Sequence, residues 1–183
     1  MPGSWGYLRN EVKEFLVTNY MRESTILDVG CGQGDYINLL SDYFIHFDAV
    51  EIFEPYIEQF HLRDRYDNVY NMNIIDYEFD YYDIIIMGDI LEHIEREQSI
   101  QLIKKLVQKC TELLVILPFF LPQDMVNNNI YEKHLQTDLD EESMNIFFPD
   151  LELINLNGKK LKLRIDVGDN VYYYCAYKKK KRD

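Results

Sequence analysis

The chain has 183 residues, 47% of them apolar or aromatic, and it carries 19 basic against 32 acidic residues. A chain of this length buries most of its apolar surface in one core, so we predict a single domain over residues 1–183. The formal net charge of −13 makes nucleic acid an unfavourable partner, because an acidic surface repels a polyanion.

The cysteines and the apolar runs argue against further classes of protein. Cys31, Cys110 and Cys175 lie far apart and form no C-x-x-C pair, so neither a zinc site nor a disulfide scaffold is expected. The N-terminus has no signal-peptide pattern, and the longest apolar run, 113–121, is too short to span a bilayer. We therefore predict a soluble, cytoplasmic protein without a membrane partner.

Strand-like and helix-like segments alternate along the first two thirds of the chain, which predicts a parallel α/β sheet. The N-terminal segment, 1–24, contains an amphipathic helix whose apolar positions are Leu8, Val12, Phe15 and Leu16. The segment that follows, 25–118, contains the predicted strands 25–29, 47–52, 68–72, 82–87 and 112–117. The last of these should stop at Pro118, which lacks a backbone N–H.

The final third of the chain differs in composition. Residues 127–137 are polar and irregular, and a loop of this length in a compact domain is more often a functional lid than an idle connection. Asp138 with Glu141 suggests a capped helix, followed by closing strands at 151–156 and 171–177. Tyr172, Tyr173 and Tyr174 are expected to fill the core of the second closing strand. The basic tail, 178–183, is expected to be a solvated terminus rather than a contact for phosphate or lipid.

A glycine-rich loop follows the first predicted strand. The apolar run that begins at Ile26 ends in Asp28, and glycines then occupy positions 30, 32 and 34. A dinucleotide fingerprint, G-x-G-x-x-G, would require a third glycine where this chain has Asp35. Because a carboxylate at the mouth of the loop would repel a pyrophosphate, the spacing favours a cofactor without phosphate.

A second acid supports a nucleoside ligand. Glu51 ends the second predicted strand, about twenty residues beyond the loop, where a carboxylate accepts hydrogen bonds from two ribose hydroxyls. A nicotinamide-dependent oxidoreductase would place an acid similarly, so Glu51 supports a ribose without choosing the cofactor. The glycine spacing makes that choice.

The segment D-x-G-x-G-x-G after an apolar strand resembles motif I of the class I S-adenosylmethionine-dependent methyltransferases. The resemblance implies a Rossmann-like, doubly wound, seven-stranded and mostly parallel sheet with helices on both faces. It also implies a cofactor-binding core over 25–118 and a substrate loop with closing strands over 119–177. The cofactor site that it implies is formed by Asp28, Gly30, Cys31, Gly32, Gly34, Glu51, Ile52, Asn73, Ile74, Gly88 and Asp89.

Within that site the resemblance assigns different parts of the cofactor to different segments. The glycine loop would hold the amino-acid end, and Glu51 the ribose. Asn73 stands where the family usually has an acid that binds the adenine amino group, and Ile74 would pack on the ring; Asp76 is the fallback. Both Asn73 and Asp76 also suit a turn without any ligand.

The segment from Gly88 to His93 resembles the D-x-x-E-H segment of several methyltransferase groups, among them small-RNA 2′-O-methyltransferases and ubiquinone-pathway O-methyltransferases. Three functions stay open for it. His93 is a candidate general base, Asp89 a candidate cofactor contact, and the acids with His93 a candidate divalent-metal site, which convergence of His134 would strengthen. The structural alternative is a capping box between Asp89 and Glu92, with His93 merely half-buried.

We therefore expect a methyltransferase that uses S-adenosylmethionine and acts on an oxygen or nitrogen atom of a small molecule. The predicted catalytic residues are His93 and His134, and the predicted substrate contacts are Tyr131 and Glu132 in the late loop. A divalent metal stays open and unassigned. The alternatives are a protein of the same fold that binds the cofactor or its product without turnover, and a nicotinamide-dependent oxidoreductase. The sequence identifies neither the substrate nor the oligomeric state.

Overall fold

The structure of the chain, a computed structural model, describes residues 6–126 and 128–181. The end of the predicted basic tail, Arg182 and Asp183, lies outside these ranges. Five helices occur in chain order: α1 (Arg9–Asn19), α2 (Asp35–Leu40), α3 (Glu54–Gln59), α4 (Arg96–Leu106) and α5 (Glu141–Phe147). Within the described ranges no helix is both long and apolar enough to cross a membrane.

The strands of the first two thirds are β1 (Thr25–Val29), β2 (His46–Glu51), β3 (Asn68–Asn71), β4 (Tyr82–Gly88) and β5 (Cys110–Phe119). Those of the last third are β6 (Leu151–Leu153), β7 (Asn155–Leu156), β8 (Lys159–Lys160), β9 (Lys162–Val167) and β10 (Asn170–Lys179). The main sheet has the order β3-β2-β1-β4-β5-β10-β6, in which neighbours from β3 to β5 are parallel and β10 pairs antiparallel with both β5 and β6. The expected doubly wound, mostly parallel sheet of seven strands is therefore confirmed.

Alternate residues of the central strands face opposite sides of the sheet, and each side has its own apolar core. Leu27 faces a core completed by α4 and α5, through residues such as Ile103 and Met144. Its neighbour Ile26 faces a core completed by α1, α2 and α3, through residues such as Leu16. Helices thus cover both faces of a single sheet, and the two layers form one domain.

The predicted opening helix is present as α1. Val12 and Leu16 are fully buried against the sheet, as their spacing predicts. Tyr20, which follows α1, donates a hydrogen bond to Glu112 at 3.2 Å, and this contact ties the helix to β5.

Two local predictions in the last third of the chain are wrong. β5 does not stop at Pro118 but continues to Phe119, because β4 pairs with β5 only as far as Ile116 and Pro118 instead pairs with antiparallel β10. The N-cap of α5 is Asp140, which accepts from the Ser143 backbone N–H in a capping box. Asp138 does not cap this helix; its carboxylate pairs with Arg96.

The region after α5 contains five strands, whereas only two closing strands, 151–156 and 171–177, are predicted from the sequence. β9 pairs antiparallel with β10 and adds an eighth strand to the sheet, while β7 and β8 form a small separate hairpin. The predicted tail also begins later than expected, because β10 extends to Lys179. Lys178 pairs with Glu152 at 2.7 Å, and Lys179 donates to the Cys110 carbonyl at 2.6 Å.

Candidate active site

A cleft of about 680 Å³ opens where the strand order reverses, between the carboxyl ends of β1 and β4. Ligands of open α/β sheets bind at this switch point, and the volume suits a nucleoside-sized molecule. The cleft brings together nearly all predicted cofactor residues: Asp28, Gly30, Cys31, Gly32, Glu51, Ile52, Asn73, Ile74, Gly88 and Asp89. Gly34 stands just outside it, at the start of α2.

The glycine loop has the backbone conformation that its sequence predicts. Gly30, Gly32 and Gly34 all have positive φ, at 64°, 54° and 77°. At Gly30 a Cβ atom would also lie 1.9 Å from the Ile90 Cδ1 atom, so this position excludes a side chain for two independent reasons. The Gly30 N–H donates to the Val50 carbonyl at 2.7 Å, which fixes the loop between β1 and β2.

Glu51 is held rigidly at the end of β2. Its Oε2 atom accepts from the Gly32 N–H at 2.9 Å, and its Oε1 atom accepts from the Phe53 N–H at 2.8 Å. Burial raises its pKa, and these two hydrogen bonds work in the opposite direction. A carboxylate has about four acceptor positions, so Glu51 retains capacity for two ribose hydroxyls while it braces the loop.

Asp28 is the penultimate residue of β1 and is only 1% exposed. Its Oδ2 atom accepts a hydrogen bond from the Tyr66 hydroxyl at 2.6 Å. Desolvation is the main cause that raises the Asp28 pKa to about 7, with smaller contributions from Asp35 and Glu51. Asp28 is therefore a buried carboxyl on the border of ionisation at neutral pH.

An arginine that no sequence motif indicated clamps the loop. The Arg65 guanidinium donates to the Gln33 carbonyl at 2.8 Å, to the Gly34 carbonyl at 2.9 Å and to Asn38 at 2.8 Å. On the other side of the loop, Arg9 of α1 pairs with Asp35 at 2.5 Å. Neither arginine lines the cleft.

The adenine side of the predicted site lies after β3. Asn73 lines the cleft, and its Oδ1 atom accepts from the Ile75 N–H at 3.0 Å, so the side chain caps the turn Ile74–Asp76. That bond uses one of the two lone pairs of the amide oxygen, so both this oxygen and the amide NH₂ group can still meet a ligand. Ile52 and Ile74 also line the cleft, whereas exposed Asp76 does not.

The end of β4 closes the opposite side of the cleft. Gly88 is required there because a Cβ atom would lie 2.4 Å from the Tyr36 ring. Asp89 has a φ of 56° and accepts a hydrogen bond from the Tyr174 hydroxyl of β10 through Oδ1. Its Oδ2 atom is buried, with no hydrogen-bond partner among the described residues, and desolvation raises the Asp89 pKa well above its usual range.

The capping box proposed for Asp89 and Glu92 is absent. Residues Leu91–His93 form a 3-10 turn without a side-chain cap, and both Glu92 oxygens are buried and unpartnered within the described part of the chain. Glu92, His93 and His134 instead come together, with one donor atom from each lying within 4.8 Å of the others. Of these three residues, only His93 lines the cleft.

The late loop contributes the cleft wall that faces β2 and β4. Tyr131 lines the cleft and is 49% exposed, and Glu132 also lines it, where its Oε1 atom accepts from the Tyr56 hydroxyl at 2.9 Å. His134 is 7% exposed; its ring packs edge-on against His93 at a centroid distance of 4.6 Å.

The cleft is strongly acidic. Its lining contains six carboxylates and, in the described ranges, no lysine or arginine; the acids are Asp28, Asp35, Glu51, Asp89, Glu95 and Glu132. Such a lining repels phosphate and attracts a cation. The negative electrostatic field of the cleft agrees with the expectation of a cofactor without phosphate.

Comparison with known protein families gives a match to a methyltransferase domain. Residues 27–115 match a family model described as a methyltransferase domain. This range runs from β1 to β5 and contains the glycine loop, Glu51 and the turn at Asp89. A search of curated proteins gave no significant match.

Solved structures show the same fold at low sequence identity. The N-terminal domain of EvdMO1 with bound S-adenosylhomocysteine aligns with a TM-score of 0.68 at 10% identity, covering 98% of this chain and 83% of that one. A S-adenosylmethionine-dependent methyltransferase from Clostridium acetobutylicum aligns at 0.66 and 13%, covering 93% and 89%. Magnesium protoporphyrin IX methyltransferase from Synechocystis, with bound S-adenosylmethionine, aligns at 0.64 and 14%, covering 94% and 78%. At these identities the solved structures establish the fold, so the expected Rossmann-like fold is confirmed, and the match of residues 27–115 to a methyltransferase domain agrees with it.

Proposed function

We propose that this chain binds S-adenosylmethionine in the acidic cleft and transfers its methyl group to an oxygen or nitrogen atom of a small molecule. The observation that carries the proposal is the placement of Glu51. Its buried carboxylate braces the glycine loop through Gly32 and keeps acceptor positions for a ribose, in a cleft whose described lining has no positive side chain for phosphate. Relatives of the same fold are solved with the methyl donor or its demethylated product.

The residues of the cleft fit the parts of this cofactor. Glu51 would accept from the ribose hydroxyls, and the loop at Gly30 and Gly32 would receive the amino-acid end. Ile52 and Ile74 would flank the adenine, with the Asn73 amide at its edge. Those of the six acids lining the cleft that are ionised attract the positive sulfonium, whereas a nicotinamide dinucleotide would bring its pyrophosphate into the same negative field. This contrast is why a nicotinamide-dependent oxidoreductase is the weaker candidate.

When bound, the cofactor supplies a methyl group that its sulfonium already activates, so the protein contributes mainly orientation and exclusion of water. His93 is the residue of the cleft wall best suited to face an acceptor. Its Nδ1–H donates to the Lys133 carbonyl at 3.0 Å, which leaves the lone pair on Nε2. Burial lowers the His93 pKa to about 4, so the ring is neutral at physiological pH and accepts a hydrogen bond from an acceptor group.

The rim of the cleft indicates the kind of substrate. Tyr131 and Leu135 line the cleft and are 49% and 45% exposed, and Ile130 beside them is 64% exposed. Apolar side chains in this position favour an acceptor with a hydrophobic body. The acidic lining disfavours phosphorylated acceptors. His134 does not line the cleft, and its predicted catalytic role would therefore act through His93. Cytoplasmic location and the oligomeric state stay outside this proposal.

Isothermal titration with S-adenosylhomocysteine tests the proposal directly. We expect one-to-one binding that Glu51→Ala weakens about tenfold or more, because the variant loses the ribose acceptor and the brace on Gly32. Glu54→Ala, an exposed glutamate in the first turn of α3, is the matched control and should bind like the wild type. Absence of binding in the wild type would overturn the proposal.

A second experiment separates an enzyme from a binding protein. The wild-type chain is incubated with methyl-labelled S-adenosylmethionine and a panel of hydroxyl- and amine-bearing aromatic compounds. Transfer of label to any of them establishes catalysis. Tight binding without transfer across the panel would favour the non-catalytic alternative.

A further inference from the structure

Two loops meet beside the cleft and bring three donor side chains together. Glu92 and His93 lie on the turn after β4, and His134 follows the turn Ile130–Glu132 of the late loop. One donor atom from each lies within 4.8 Å of the other two. Because 41 residues separate His93 from His134 in the chain, only the fold places them together.

Glu92 is the anomaly of this cluster. It is 1% exposed, and neither carboxylate oxygen has a hydrogen-bond partner in the described ranges. A buried polar group without a partner is costly and calls for an explanation. The charged groups that act on it most strongly, Asp89 and Glu132, are both acidic and offer no compensation. Among the described residues, no positive side chain satisfies this carboxylate.

Hydrogen bonds to backbone carbonyls fix the tautomer of both histidines. The His93 Nδ1–H donates to the Lys133 carbonyl at 3.0 Å, and the His134 Nδ1–H donates to the Leu121 carbonyl at 2.6 Å. A carbonyl only accepts, so Nδ1 carries the proton in each ring and Nε2 carries the lone pair. Backbone carbonyls that fix the tautomer in this way are typical of metal-binding histidines.

We propose that Glu92, His93 and His134 bind one divalent transition-metal ion of the Zn²⁺ and Mn²⁺ class. Two neutral imidazoles and one carboxylate suit such ions better than Mg²⁺ or Ca²⁺, which prefer oxygen ligands throughout. Metal–ligand bonds are about 2.0–2.2 Å long, so the 4.8 Å spread of the donor atoms closes with side-chain shifts of about 1 Å. The ion would supply the positive charge that the buried Glu92 carboxylate lacks as a partner.

The position of the ion follows from its ligands. His93 lines the cleft, whereas Glu92 and His134 do not, so the ion would lie in the cleft wall. Three protein ligands leave at least one coordination position for water or for an oxygen of a bound molecule. A bound ion would take the His93 Nε2 lone pair, and its open position would then face an acceptor group in place of that nitrogen. The inference concerns metal binding by the chain alone and does not depend on methyl transfer.

The test is isothermal titration of the full chain, stripped of metal with EDTA, with Zn²⁺ and separately with Mn²⁺. We expect saturable binding of one ion per chain for at least one of the two metals, together with a rise in melting temperature. His46→Ala removes an exposed imidazole elsewhere and is the matched control. It should bind the ion like the wild type.

Two variants separate metal ligation from a structural role. Glu92→Gln keeps the side-chain shape and removes the carboxylate, so the metal-free variant should melt at or above the wild-type temperature while its metal affinity falls at least about tenfold. His134→Ala should reduce the affinity similarly. No saturable binding of either metal, undiminished binding by Glu92→Gln, or equal loss in His46→Ala would overturn the inference.

Discussion

The Tyr66 hydroxyl donates to the Asp28 Oδ2 atom at 2.6 Å and thereby joins the turn before β3 to the buried end of β1. Among the described residues, Tyr66 is the side chain that donates a hydrogen bond to this carboxyl. Without that bond, the buried carboxyl would have lost its contact with water and gained no partner in return. The bond lowers the Asp28 pKa, but desolvation outweighs it, and Asp35 and Glu51 raise the pKa further while Arg65 lowers it. The result is an acid at the base of the glycine loop with a pKa of about 7.

Asp28→Asn should make the protein's stability less sensitive to pH. Because the folded pKa is raised from 3.8 to about 7, the folded chain binds more protons than the unfolded chain between these values. The wild-type free energy of unfolding therefore falls as pH rises through this window and stays reduced above it. The free energy of unfolding of the variant does not fall in this way. Relative to that of the wild type, it should therefore rise by on the order of 2 kcal/mol between pH 5 and pH 8.

Urea titrations at pH 5, 6.5 and 8 measure this effect. Other raised carboxyls contribute equally to both proteins, so the difference between them isolates Asp28. Asp42→Asn, at an exposed position after α2, is the control and should follow the wild type at each pH. Parallel curves for Asp28→Asn and wild type would contradict the prediction.

Gly30→Ala and Gly158→Ala should differ in cost although both glycines have positive φ, at 64° and 83°. An alanine at 158 meets nothing within 4 Å and suffers only the backbone strain of about 1–2 kcal/mol. At Gly30 the new Cβ would also lie 1.9 Å from the Ile90 Cδ1 atom. We expect Gly30→Ala to lose about 1–3 kcal/mol more in chemical denaturation.

The double variant Gly30→Ala, Ile90→Val checks that explanation. Valine lacks the Cδ1 atom that the new methyl group meets, so it should recover part of the additional loss. If Ile90→Val has no effect in the Gly30→Ala background, the clash is not the cause.

Local patterns predicted those parts of the molecule that local geometry determines. The bounds of β1 and the positive φ values of the loop follow from an apolar run and its glycines, since both depend on neighbouring residues. The position of Glu51 follows from the length of the unit formed by β1, α2 and β2. These features place most of the cleft.

Contacts between residues far apart in the chain have no local sequence pattern that would predict them. Arg65 reaches the Gly34 carbonyl across 31 residues, and Tyr174 reaches Asp89 across 85, and neither arginine nor tyrosine stands in a recognisable motif. The same limit explains the capping error at Glu92. Its spacing from Asp89 fits a helix, but Asp89 adopts a φ of 56° and the chain forms only a 3-10 turn. β9, by contrast, has the local pattern of a half-buried strand, because charged and apolar residues alternate along Lys162–Val167, and the prediction of only two closing strands overlooked it.

Tyr174→Phe should destabilise the protein, because it removes the hydrogen-bond partner of Asp89 Oδ1, and the buried Oδ2 atom already has none among the described residues. Loss of a partner for a buried acceptor costs about 1–3 kcal/mol. Tyr173→Phe removes a hydroxyl from the neighbouring residue, on the opposite face of β10, and is the control. Chemical denaturation of both variants measures the difference, and equal stabilities would show that the hydrogen bond contributes nothing.

Arg65→Lys should reduce the binding free energy for S-adenosylhomocysteine more than it reduces the free energy of unfolding. The guanidinium holds the Gln33 and Gly34 carbonyls at once, whereas a lysine ammonium cannot reproduce this fork. The loop should become less well fixed, with affinity falling about tenfold, as is common for residues that position a binding group. The matched control is Arg63→Lys, an arginine two residues earlier that bonds only the Val69 carbonyl in the described contacts. Titration of both variants at equal temperature tests the prediction, and it is wrong if both retain wild-type affinity or if both lose it equally.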